Sequence, residues 1–138
     1  AVVHFSGHAS ESGLVFRHEE FPDDYEEYSP ELLLRIFEGR SYLKCLVLNA
    51  CESIRTAETL AGLGLTVIGT LKPLDDDLGI RFTRNFYRSL ASGLTLEKAL
   101  GSATDTTRTD PDEELYRAFG PLDYAPAQAH AGTVQVNG

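Results

Sequence analysis

Apolar and polar positions follow two regimes along this chain. Short, nearly continuous apolar runs, AVVHFSG at 1–7, YLKCLVLNA at 42–50 and GLTVIGT at 64–70, stand between longer stretches with apolar residues every three or four positions. Runs of the first kind, rich in Val, Leu, Ile and Phe and stopped by Gly or Asn, predict strands buried on both faces. A shorter run, GLVFRHE at 13–19, predicts a second strand hairpin-paired to the first. The periodic stretches predict helices that bury one face.

Four helices follow from those stretches. In YSPELLLRIFEGR, Ser29 is the N-cap, Pro30 takes the first helical position, Glu31 suits the first turn and Gly39 closes the end. Leu33, Ile36 and Phe37 mark its buried stripe. Glu52 to about Leu63 is the second, with Ile54, Ala57, Leu60 and Ala61 facing in. Asp76 to about Ser92 is the long one, with Leu78, Phe82, Phe86 and Leu90 inward. Thr95 caps the last, which carries Leu96, Ala99, Leu100 and Ala103. After Thr106 the pattern fades into a tail, 105–138, with DEELYRAF expected as a helical turn and GTVQV as an edge strand.

Apolar strands alternating with helices predict an α/β sandwich with a mostly parallel sheet, in one domain spanning 1–138. Sites in such sheets form outside the carboxyl ends of the strands. Two small-residue turns, SGHAS at 6–10 and NACES at 49–53, are expected on that rim.

Charge narrows the partners. Twelve Lys and Arg against 21 Asp and Glu leave a net charge of −9, which argues against nucleic acid as a direct partner. Much of the excess sits in HEEFPDDYEEY, where Glu19, Glu20, Asp23, Asp24, Glu26 and Glu27 cluster. Such a block reads as a solvated loop, or as an acidic lip that attracts basic substrates or a regulatory partner. No apolar run reaches the roughly 20 residues of a membrane span, and no signal peptide opens the chain, so no membrane partner is expected. The chain opens without Met on a buried-type strand, as expected for a piece of a larger protein.

The chemistry rests on Cys and His. Cys45 and Cys51 lie on the order of 20 Å apart if the run between them is extended, too far for a disulfide. Unbridged thiols point to a reducing, cytoplasmic setting. Cys45, in mid-strand, reads as core. Cys51, at a strand end and a helix start, is placed for thiolate chemistry, although an inert buried cysteine fits the same spacing. His8 is the candidate proton acceptor, and backbone N–H groups from Gly7 to Ala9 and at Cys51 are candidate oxyanion donors. His4 shares a strand face with His8 and reads as a packed core residue. A metal site from His4, His8 and Cys51 lacks zinc-type spacing, and no phosphate loop or GxSxG elbow is present, so no metal and no cofactor are expected. His18 and His130 read as exposed. Glu52 and Ser53 fall in a first helical turn, with Ser53 within reach of a substrate.

HFSGHAS, LVLNACES, GLTVIGT, LDDDLGIRF and NFYRSLASG, in that order between Val2 and Thr104, together resemble the CHAT domains. These are bacterial caspase-like domains, related to separase and gingipain-type cysteine peptidases. The resemblance implies a three-layer caspase-like sandwich and a cysteine endopeptidase. His8 would be its general acid and base, Cys51 its nucleophile, and Gly7, Ala9 and Cys51 its oxyanion donors. Asp76 would line a pocket for an Arg or Lys preceding the scissile bond, although Asp75 to Asp77 fit equally as helix caps. Implied partners are protein or peptide substrates and regulatory repeat or sensor domains of the same parent, in bacterial signalling or defence. The chain departs from the pattern at Ala9, where the family usually has Gly, and lacks the strands that usually precede the histidine strand. The first departure opens the alternative of a catalytically degenerate domain kept for protein interaction or assembly. The second implies an incomplete sheet with an exposed edge.

Overall fold

A computed structural model of the chain describes residues 2–10, 12–17, 25–50, 53–72, 75–110, 112–126 and 133–137. The strands are β1 (Val2–Ser10), β2 (Gly13–Arg17), β3 (Tyr25–Tyr28), β4 (Cys45–Ala50), β5 (Thr66–Thr70), β6 (Tyr116–Phe119) and β7 (Thr133–Asn137). The helices are α1 (Pro30–Phe37), α2 (Ile54–Leu60), α3 (Asp76–Ala91) and α4 (Leu96–Thr107), with a 3-10 turn at Ala61–Leu63. The sheet runs β3-β2-β1-β4-β5-β6, and β7 also pairs with β1. β7, β1, β4 and β5 are mutually parallel, while β2, β3 and β6 are antiparallel to their neighbours. The fold is the expected mostly parallel α/β sandwich.

Its layers follow from strand periodicity. On one face Val2, Cys45, Val47 and Ile68 pack against Phe82, Phe86 and Leu90 of α3 and Leu96, Ala99 and Ala103 of α4. On the other, Phe5, Leu46, Leu48 and Val67 meet Leu33 of α1 and Ala57 and Leu60 of α2. Phe82 and Phe86 are fully buried, each worth about 2–3 kcal/mol in apolar area removed from water. The caps act as read: Leu32 N–H donates to Ser29 Oγ at 3.2 Å and Lys98 N–H to Thr95 Oγ1 at 3.4 Å.

Four expectations are corrected. The first strand does not stop at Gly7. It pairs with β7 over Val2–Ser6, then continues as a hairpin with β2, His8 opposite Val15 and Ala9 opposite Leu14. SGHAS is therefore strand and not turn. DEELYRAF is no helical turn, because Tyr116 and Ala118 alternate inward against the α3–α4 core while Arg117 faces out. The ring of Tyr116 stacks on Phe82 with centroids 3.6 Å apart, which fixes β6 as a strand. Ile36 lies on the open side of α1, 39% exposed, and Leu33, Leu34 and Phe37 carry that helix's packing. Finally, α2 begins at Ile54, one residue after Ser53, and ends as the 3-10 turn. Of the acidic block, only Glu26 and Glu27 on β3 fall among described side chains; 18–24 lie outside the described residues. No described helix is long and apolar enough to cross a membrane.

Candidate active site

The last parallel pair between β1 and β4 is Gly7 with Ala50. In the sequence each immediately precedes a predicted reactive residue, His8 after Gly7 and Cys51 after Ala50. His8 is exposed. Cys51 and Glu52 lie outside the described residues, but the residues on either side of them are tightly held. Thr70 Oγ1 donates to the Ala50 carbonyl. The Ser53 hydroxyl donates to the Leu48 carbonyl at 3.0 Å and accepts from the Thr70 N–H at 3.0 Å. Ser53 is wholly buried, so its side chain serves this junction and does not face a substrate. Both ends of the 51–52 segment are thus fastened to the end of β5.

A cleft of about 540 Å³ opens at this rim. β1 supplies His4, Ser6 and His8 to it, alternate residues of one strand face, and β4 supplies Asn49 and Ala50. Its far wall is the start of α3, including Asp76, Ile80 and Arg84. The structure therefore brings Gly7, His8 and Asp76 to one cavity. Ala9 continues β1, half-buried, and packs toward the α1–α2 side.

Asp75 and Asp76 both line the cleft and are both exposed, but they differ in their bonds. Asp75 is the N-cap of α3, its Oδ1 accepting from Leu78 N–H at 2.8 Å. Asp76, one residue on, has no hydrogen-bond or ion-pair partner among the described residues and presents an exposed carboxylate to the cleft.

A model of the CHAT domain family matches residues 1–130. The chain belongs to the CHAT domain family. That places it among caspase-like, peptidase-related domains, consistent with its sandwich and with the His and Cys strands side by side. No curated protein matches the chain.

Sequence reasoning missed the residue that joins the CHAT cleft's two walls. Asn49, within NACES, donates through Nδ2 to the Gly79 carbonyl at 3.1 Å and to Thr83 Oγ1 at 2.9 Å. Its Oδ1 accepts from Tyr116 O–H at 2.9 Å. One amide so ties β4 to α3 and β6. Gly79 permits the approach: a Cβ there would lie 3.2 Å from Asn49 Nδ2. A polar residue ending an apolar run just before the reactive position was the available signal.

At the cleft floor His4 is buried, and its Nδ1 lies 2.9 Å from Tyr87 Oη. Burial lowers the His4 pKa from 6.5 to about 4, so the ring is neutral near pH 7. Cys45 is buried and free, and burial pushes its thiol up to about 12. A thiol so held stays protonated and is no nucleophile, the core role expected for it.

Proposed function

We propose that this CHAT domain is a cysteine endopeptidase that cuts proteins after Arg or Lys, with Cys51 as nucleophile and His8 as general acid and base. The Gly7–Ala50 pair carries the reading. Each α-carbon of that pair is one peptide unit, about 3.8 Å, from the α-carbon of a dyad residue. Neighbouring strands lie about 4.8 Å apart, so the paired residues that precede His8 and Cys51 are adjacent on one rim.

The chemistry then runs in two halves. His8 takes the Cys51 proton, and the thiolate adds to the carbonyl carbon of the scissile bond. Backbone N–H groups at Gly7, Ala9 and Cys51 receive the oxyanion. As the C–N bond breaks, protonated His8 gives its proton to the leaving amine, and a thioester remains on Cys51. Water, losing a proton to His8, attacks the thioester, the acid product leaves and the thiol is restored. Asp76 receives the guanidinium or ammonium of the preceding residue as a charge-assisted contact. Ala9 is compatible with this scheme: it lies in extended strand, where no left-handed φ is required of it. The same reading includes control by repeat or sensor domains of a parent protein, in bacterial signalling or defence in the cytoplasm.

The test is cleavage of peptides that differ only at the residue before the scissile bond. Arg and Lys peptides are cut by the wild type and not by Cys51→Ala or His8→Ala. Cleavage that survives Cys51→Ala refutes the assignment.

A further inference from the structure

The far wall of the cleft has a charge pattern that a basic-residue pocket does not use. Asp76, Ile80 and Arg84 follow one another at four-residue spacing along α3, and all three line the cleft. Ile80 is 55% exposed, a large apolar side chain presented to the groove. Arg84 is exposed, and Arg88 follows one turn later on the same side. Neither has a carboxylate partner among the described residues. That is notable in a chain with 21 acidic against 12 basic residues. Opposite them β1 offers a polar stripe, His4, Ser6 and His8, although the other face of that strand packs Phe5 into the core. Acid, apolar and base along one wall are the complement of a peptide carrying base, apolar and acid.

Resting on the peptidase reading, we infer that the groove also binds an acidic side chain of the substrate at Arg84, three to four residues from the basic residue at Asp76. The spacing comes from geometry. Eight helical residues from Asp76 to Arg84 rise about 12 Å. An extended peptide covers that distance in about 3.5 residues. An apolar substrate side chain between the two charges meets Ile80. The chain's overall negative charge makes this a selective contact, since acidic peptides are repelled elsewhere on the surface.

The experiment uses labelled peptides with one Arg and one Glu, the Glu placed from two to six residues away on either side. They are titrated against the intact protein carrying Cys51→Ala, and cleaved by the intact wild type. Binding is expected to peak at three to four residues, about tenfold above the matching peptide with Lys for Glu, and to weaken with salt. Arg84→Glu is expected to reverse that order, while Lys98→Glu, the same charge change on the exposed side of α4, preserves it. Affinity independent of Glu position, or an unreversed preference in Arg84→Glu, overturns the inference. Cleavage without any Glu preference overturns the inference alone. Glu-selective binding without cleavage overturns the peptidase reading and leaves an acidic-peptide groove.

Discussion

Gly7 on β1 and Ala50 on β4 are partners across adjacent parallel strands, and the next residue in sequence after each is a member of the proposed dyad. Ala50 and Ser53 are both bonded to Thr70, which makes their support testable by changes remote from the chemistry.

Gly69 on β5 lies directly against the start of α2. A Cβ there would stand 2.7 Å from Ala57 Cβ and 3.3 Å from the Ser53 carbonyl. Gly69→Ala must push the start of α2 outward, at a cost of about 1–3 kcal/mol. Activity is expected to fall further than stability, because Ser53 anchors the end of the 51–52 segment. Gly101→Ala is the contrast, on an exposed helix face with nothing within 4 Å, and is expected to stabilise by roughly 0.5–1 kcal/mol. Urea denaturation and kcat/KM of both variants check the pair.

Asn49→Ala removes three hydrogen bonds at once and leaves Tyr116 Oη without its Asn49 partner and the Gly79 carbonyl without the amide it receives. A loss of about 2–3 kcal/mol is expected. Tyr116→Phe loses only one of these bonds and is expected to cost about 1 kcal/mol, read in the same denaturation series.

The buried His4 sets a pH dependence. In the unfolded chain it takes up a proton near pH 6.5, but in the folded protein only near pH 4. Between those values the unfolded state binds more protons, so stability falls as pH drops through the window and is fully present above it. The loss by pH 4 is on the order of 3 kcal/mol from this group. Denaturation midpoints at pH 7 and pH 4.5 are expected to converge in His4→Gln relative to wild type. An equal acid sensitivity in the variant would assign it to other groups.

Asp75 and Asp76 are expected to separate by readout. Asp75→Ala loses the cap of α3 and about 1 kcal/mol of stability. Asp76→Ala is expected to leave stability nearly unchanged and to reduce cleavage of Arg and Lys peptides selectively. If every peptide is cut more slowly by the same factor, Asp76 holds no basic side chain.

Much of this arrangement was legible in the chain itself. The apolar runs gave β1, β4 and β5, and Ser29 and Thr95 marked two helix starts, because strand burial and capping are local properties. What was misread depends on contacts distant in sequence. Tyr116 looked helical within DEELYRAF until Phe82, from another element, stacked on it. Gly7 looked like a strand end, yet β2 and β7 share the flank of β1 and the pairing passes from one to the other there. Ser53 looked substrate-facing because its inward bonds go to Leu48 and Thr70, one five residues back and the other on a later strand. Asn49 showed no role at all until α3 and β6 converged on it.

The central claim is a working Cys51–His8 dyad behind a basic-residue pocket. Its most direct measurement is intact-mass spectrometry of the full-length protein after exposure to an arginine-bearing, thiol-reactive peptide probe, with and without candidate activating partners. One probe adduct on Cys51 is expected in the wild type, none in Cys51→Ala, and a strongly slowed reaction in His8→Ala. A folded wild-type protein that takes no label with any activator, or labels equally fast without His8, contradicts the claim.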